Sequence, residues 1–349
     1  MEDVLQAAVR DAAESGGRLV ISGAGTKSRW VPRADGELLS VAELTGIVDY
    51  QPEELVITVR GGTLLKDVQQ ALSQRQQMLA FEPPMLAGGG TVGGAVAAGL
   101  SGPARPWRGS LSDATLGVRI LNGQGDILRF GGQVMKNVAG YDVSRLMAGS
   151  WGALGVILDV SLRVQPRPDH AVVLAYEYDA QQAIEHCRSM ARVATPVTAC
   201  FWHDGKLLLR FEGSESALQV AAERFGGQRY SDVDVFRRVR DLEHDFFKPL
   251  GAGGNLYRIV TPPAAMVGPF ENLAIEWGGG LRWVWHEDAA TVFEYAKSVV
   301  GWAWRMGEAV SLTQFNPALA ALNERVRNSF DPHNVFASPL LEPTERERR

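Results

Sequence analysis

Residues 83–113 read PPMLAGGGTVGGAVAAGLSGPARPWRGSLSD, and the rest of the chain is interpreted from this stretch. Gly88, Gly89, Gly90, Gly93, Gly94, Gly99 and Gly102 crowd into it, with Val92, Ala95, Val96, Ala97 and Ala98 filling the gaps. Flexible linkers pair Gly with polar Ser rather than with Val and Ala. Gly lets main chain approach a rigid group closely and adopts positive φ without a Cβ clash. Thr91 is placed to cap a short helix through Ala98, whose first N–H groups would face an anion. The stretch therefore points to a large phosphate-bearing cofactor laid against the backbone.

Upstream, Val4, Leu5, Ala8, Val9 and Ala12 recur at helical spacing, which predicts an amphipathic helix over 2–15 ended by Gly16-Gly17. Residues 18–22 (RLVIS) read as a short buried strand, followed at once by the loop Gly23-Ala24-Gly25-Thr26-Lys27-Ser28. A dinucleotide fingerprint needs a third Gly where Ser28 stands and a helix after it, which Trp30, Pro32 and Gly36 oppose. A P-loop needs Gly directly before Lys, where this chain has Thr26. Two readings remain. The loop is a plain tight turn, or it is a nest of backbone N–H groups, with the Thr26 and Ser28 hydroxyls, that holds a diphosphate without a helix.

Downstream, strands are expected over 38–41, 47–48 and 55–59, and Thr63 is expected to cap a helix bearing Leu64, Leu65, Val68, Ala71 and Leu72. A hairpin over 116–130 turns at Asn122-Gly123. Asp142 caps a short helix, and the alternating strand 156–164 is stopped by Pro166 and Pro168, where a domain boundary is expected. Beyond it, a β-α-β-β-α order over 172–225 predicts a sheet covered on one face by helices. A helix over 236–248, strands over 256–261, 273–276 and 281–285, and helices over 289–300 and 317–330 complete the pattern.

A chain of 349 residues, 46% hydrophobic, has room for two cores. Its net charge of −5 offers no basic face for nucleic acid. Cys187 and Cys200 are too few for a four-thiolate iron–sulfur cluster, and no pair of the six His stands at metal-ligand spacing, so no metal site is expected. The acidic start Glu2-Asp3 is unlike a signal peptide, and no run nears the ~18 apolar residues of a membrane span. A cytoplasmic protein is expected.

In this order, GAGTKS (23–28), Pro83-Pro84, TVGGAVA (91–97), SGP (101–103), RGS (108–110), Asp113, LGVRILNGQGDILRFGGQVMKNVAGYD (116–142), GSWGALGVI (149–157) and FDPHNVF (330–336) resemble the flavoprotein family of vanillyl-alcohol oxidase and p-cresol methylhydroxylase (PCMH). Within it they are most similar to the FAD-binding subunits of bacterial glycolate oxidases. The resemblance implies an α+β fold. A two-subdomain PCMH-type FAD-binding domain (1–168) is followed by a smaller α+β cap domain (169–315), and a C-terminal segment (316–349) returns to the first domain.

It also implies site residues. Gly23, Ala24, Gly25, Thr26, Lys27 and Ser28 would cradle the FAD diphosphate. Pro83, Gly89, Gly90, Thr91, Val92, Gly93 and Gly94 would pass the diphosphate and ribityl chain. Ser101, Gly102, Arg108, Gly109, Ser110 and Asp113 would line the flavin, and Gly155, Val156 and Ile157 would meet adenine through main-chain groups. Relatives that anchor flavin covalently use His or Cys of this domain. Here the first are His170 and Cys187, past the boundary, so the FAD is expected to be non-covalent.

No catalytic residue stands out. His286, after the apolar run 281–285, and His333, in the C-terminal tag, are weak candidate bases beside a flavin, and the plainer reading of each is a surface polar residue. Trp277, Trp283, Trp285, Trp302 and Trp304 line a substrate pocket or serve a core or interface, and Tyr141 touches substrate or enters a core. The resemblance implies partners: a catalytic flavoprotein subunit and an iron–sulfur subunit of a glycolate oxidase complex acting on a small 2-hydroxy acid. These partners would be able to hold the chain at the periphery of the inner membrane. A self-sufficient 2-hydroxy-acid dehydrogenase and a non-catalytic scaffold with a degenerate FAD site stay open as alternatives.

Overall fold

The computed structural model describes residues 1–28, 30–32, 34–133, 141–248, 254–307 and 317–338. By packing, these residues form two compact units. The first comprises residues 1–100, 110–166 and those described from 307 onward; the second comprises 101–109 and 167–306. The segment 101–109, which the sequence reading kept with the first domain, packs in the second unit.

In the first unit, five strands form an antiparallel sheet in the order Ile47–Gln51, Val56–Arg60, Val156–Arg163, Thr115–Leu121, Ile127–Gly131. Both faces of its central strand are covered. This is why Val156–Arg163 is buried at every residue but the last, its polar Asp159 and Ser161 included, rather than alternating with exposed residues. On one face Ile57, Val118, Val160 and Leu162 pack with Val68 and Leu72 of the helix Leu65–Ser73 and with Val92 and Val96 of the helix Val92–Ala98. On the other, Leu121, Val156 and Leu158 meet Leu5, Val9 and Ala12 of the helix Glu2–Ser15, which Gly16 ends at φ 71°. A parallel pair, Leu19–Ser22 and Glu37–Ser40, completes this second core.

The tag 330–336 closes on the same core. Leu19 N donates to Val335 O (2.7 Å), and Ala337 N donates to Leu19 O (2.9 Å). The fully buried Asp331 carboxylate accepts from the amides of Val335 and Phe336, each at 2.8 Å. Gly123 is required there, because a Cβ would run into Asp331.

In the second unit, eight strands form an antiparallel sheet among the described residues. Their order is Gln228–Arg229, His170–Glu177, Lys206–Gly213, Val197–His203, Leu273–Glu276, Leu281–His286, Asn255–Val260, Trp302–Arg305. Side chains of the helices Ala180–Met190, Glu215–Phe225 and Ala289–Ser298 share its apolar clusters.

Three local expectations are corrected. Thr63 does not cap its helix; its hydroxyl instead exchanges hydrogen bonds with the Gly46 amide and carbonyl (3.0 and 3.2 Å). The helix expected over 236–248 spans only Val235–Arg240, because Leu242 takes φ 56° and the amides of Glu243 and His244 turn back to Arg238 O. Tyr141 is 97% exposed, so it joins no core. The motif residues 136–140 lie outside the described residues.

Candidate cofactor site

The loop 23–28 leaves its strand at Ser22, whose carbonyl accepts from Val41 N. Gly23 packs against Thr91 so closely that a Cβ would strike the Thr91 hydroxyl, and Gly25 takes φ 66°. Ser28 N donates to Gly25 O (3.1 Å), which folds the loop back on itself. Among the described residues, no hydrogen bond engages the amides of Ala24, Gly25, Thr26 or Lys27. Four successive amides without a protein acceptor, around the left-handed Gly25, are an arrangement of the kind that receives anions.

Lys27 adds a charge to it. Its side chain is half-buried beside Gly90, where a Cβ would lie 3.7 Å from Lys27 Nζ and 3.2 Å from Thr26 Oγ1. No carboxylate pairs with the ammonium among the described residues. Burial pulls its pKa down to about 8. A desolvated cation with no partner is unfavourable by itself, and an anion in the loop offsets that.

The glycine stretch supplies the opposite wall. Ala87, Gly88 and Gly89 take φ 50°, 83° and 146°. A Cβ on Gly88 would meet nothing within 4 Å, and one on Gly89 only Met85 Cε at 3.9 Å. The open edge therefore lies at Gly88 and Gly89. The helix N-terminus behind it is not an anion site, contrary to the sequence expectation. Val92 N donates to Thr63 O (2.8 Å), Gly93 N to Gly61 O (2.8 Å) and Gly94 N to Thr91 Oγ1 (3.1 Å). Gly93 serves packing, since its Cβ would sit 2.8 Å from Gly61 O, and Pro83 and Val92 are buried.

The remaining expected residues have structural tasks. Ser110 and Asp113 form a capping box, with Asp113 N donating to Ser110 Oγ (3.1 Å) and Ser110 N to Asp113 Oδ2 (2.9 Å). Ser101, Gly102, Arg108 and Gly109 belong to the second unit. There Gly102 O accepts from Trp277 Nε1 (3.0 Å), Arg108 pairs with Glu212 (2.8 Å), and Gly109 ends a helical turn at φ 91°. Gly155 presses on Leu121 O, which would lie 2.5 Å from its Cβ, and the side chains of Val156 and Ile157 point into the two cores, so these three offer a ligand main chain only.

His286 Nδ1 accepts from Asp288 N (3.1 Å) in a local turn, and His333 is exposed. Trp277, Trp283 and Trp304 are buried in the second unit. Among the described residues no three His, Cys, Asp or Glu side chains are grouped to hold a metal. Sequence reasoning missed Arg258, although a lone cation inside the apolar strand LYRIV was a visible signal.

Comparison with known proteins agrees with this architecture. A family model described as an FAD binding domain matches residues 1–131. The chain is 39% identical over 324 residues to glycolate oxidase subunit GlcE of Escherichia coli (strain K12), covering 91% of each chain. It is 27% identical over 194 residues to glycolate oxidase subunit GlcD of Bacillus subtilis (strain 168), covering 55% of this chain and 41% of that one. A solved alkyldihydroxyacetonephosphate synthase superposes with a TM-score of 0.65 at 13% identity, over 96% of this chain and 74% of that one, which is a likeness of fold. The sequence match along nearly the full length, the FAD-binding domain and the shared fold lead to one assignment: the chain belongs to the PCMH-type FAD-binding flavoproteins, in the family of glycolate oxidase subunit GlcE.

Proposed function

We propose that the chain is the FAD-binding subunit of a multi-subunit oxidase or dehydrogenase for glycolate or another small 2-hydroxy acid. It holds FAD non-covalently and works beside a catalytic flavoprotein subunit and an iron–sulfur subunit. The observation that carries the cofactor half of this reading is the half-buried Lys27 ammonium, which has no carboxylate partner among the described residues, beside four loop amides with no acceptor among them. The full-length similarity to GlcE supports the assembly half, and the partial similarity to GlcD is what a sister flavoprotein subunit would show.

In this reading Lys27 neutralises part of the diphosphate charge, and the Ala24–Lys27 amides and the Thr26 hydroxyl donate to its oxygens. Gly88 and Gly89 leave room for the chain to pass, and the main chain of 155–157 serves the adenine. When bound, FAD supplies two-electron redox chemistry. Of the sequence's His and Cys residues only His333 falls in the first unit, and it is exposed, which supports a non-covalent cofactor. His286 is spent on a local turn with Asp288.

Purifying the chain alone and with its sister subunits tests the reading. A yellow protein that releases its flavin on acid precipitation, and that glycolate bleaches anaerobically only when the sister subunits are present, is the expected result. Bleaching of the lone chain at a turnover rate would make it a self-sufficient dehydrogenase. A colourless chain that takes up no added FAD would make it a scaffold.

A further inference from the structure

Within the second unit, Arg258 sits on the strand Asn255–Val260, opposite Trp283 on one neighbouring strand and Trp304 on the other. It is only 6% exposed. Its guanidinium carbon lies 5.2 Å from the ring centre of Trp277, 5.8 Å from that of Trp283 and 5.7 Å from that of Trp302. Arg105 lies over the same Trp277 ring at 4.5 Å. Among the described residues no side-chain hydrogen bond engages the Arg258 guanidinium; burial draws its pKa down to about 10, with the charge of the buried Glu276 carboxylate acting against that shift and Arg105 acting with it.

The walls around this group are held in place. Trp277 Nε1 donates to Gly102 O (3.0 Å), and Trp283 Nε1 donates to Glu276 Oε1 (2.7 Å). Trp277 takes φ 56°, a left-handed conformation that is unfavourable for a bulky residue. Indole faces attract a guanidinium but cannot accept its N–H groups in the manner of an oxygen. What is missing is a planar, singly charged acceptor that takes two parallel N–H bonds, and a carboxylate has that shape. Three aromatic walls suit an acid with a carbon body better than a strongly hydrated inorganic phosphate.

We infer that Arg258, with Arg105 beside it on Trp277, binds the carboxylate of a small organic acid. That this acid is a 2-hydroxy acid rests on the function proposed above; the site itself does not. Arg282 differs instructively. It is equally buried, but its guanidinium donates to the carbonyls of Met266 and Ala265, each at 2.6 Å, and so has a structural task.

The test titrates the full-length flavin-loaded protein with glycolate, oxalate, acetate and inorganic phosphate, following tryptophan fluorescence and heat of binding. The wild type is compared with Arg258→Met and Arg258→Lys. Saturable binding of glycolate and oxalate is expected, weakened roughly 10- to 100-fold in Arg258→Met as a charged hydrogen-bond partner is lost. The flavin content should stay unchanged. If Arg258→Met fails to fold, Arg258→Lys keeps the charge, loses the fork and should still weaken binding. No saturable carboxylate binding in the wild type, unchanged affinity in the variants, or tighter binding of phosphate than of any carboxylate overturns the inference. A colourless protein is a failure of the FAD reading; a yellow protein that binds no acid is a failure of this one.

Discussion

Lys27 brings opposite requirements to one residue. In the free protein its ammonium is desolvated with no counter-charge among the described residues, and its pKa falls to about 8. Between pH 8 and the ordinary lysine range, the unfolded chain therefore binds more protons than the native one. Stability of the free protein should rise with pH across that window. FAD binding uses the charged form, so affinity should fall as pH rises through about 8. Lys27→Met should weaken FAD roughly 10- to 100-fold at pH 7, abolish the pH dependence between 7 and 9, and raise the melting temperature of the free protein. Fluorescence titration of FAD into apoprotein at the two pH values checks this; parallel pH slopes in the two proteins would remove Lys27 from the site. Asp331 works differently, as a fully satisfied buried acceptor. Asp331→Ala strands two buried amides and should cost about 1–3 kcal/mol each, read as a loss of stability in urea.

At the scale of elements, the glycine stretch shows what sequence can and cannot specify. Its composition announced close backbone approach, and the approach is there, but Gly93 faces Gly61 and Gly99 faces Gly149 rather than a cofactor. Sequence carries no label for the partner. Gly93→Ala, with its Cβ 2.8 Å from Gly61 O, should therefore destabilise by roughly 1–3 kcal/mol. Gly94→Ala meets only the Thr91 hydroxyl, at 3.0 Å, and should fold with little change or a gain of up to about 1 kcal/mol from helix propensity. Thermal unfolding of the two variants separates them, and equal losses would mean that the helix is packed otherwise.

Thr91 was legible as a cap because a helix N-cap is a local device, and the structure gives it that bond. Thr63 misled because its hydroxyl found a partner seventeen residues away, at Gly46. The strand Trp302–Arg305 went unread because four residues of WAWR are too short to show a period. Arg258 was readable only as an oddity, since nothing local foretells that indoles from three other segments surround it.

On the scale of the whole chain, residues far apart in sequence close the first unit by charge as well as by packing. Glu2, in the first turn of the first helix, accepts from Arg119 Nη2 (2.8 Å) and Arg60 Nη1 (3.0 Å), and Arg119 also pairs with Asp159 at 2.6 Å. These four residues come from a helix and three strands, so the cluster forms only when the sheet and helix are already in register. Its hydrogen bond from Arg119 holds the Glu2 carboxyl below the ordinary carboxylate range, against a smaller opposing effect of burial. A carboxyl depressed in the native state contributes stability that is fully present above its unfolded pKa and is lost as pH falls through the folded value. Glu2→Gln should therefore lower stability by about 1 kcal/mol near pH 7, since the pair is partly solvated. It should lower it progressively less below about pH 4.5, where wild type and variant converge. Urea unfolding at pH 7 and pH 3.5 measures the difference. A gap that persists undiminished at pH 3.5 would mean that Glu2 acts through packing of its aliphatic stem rather than through its charge.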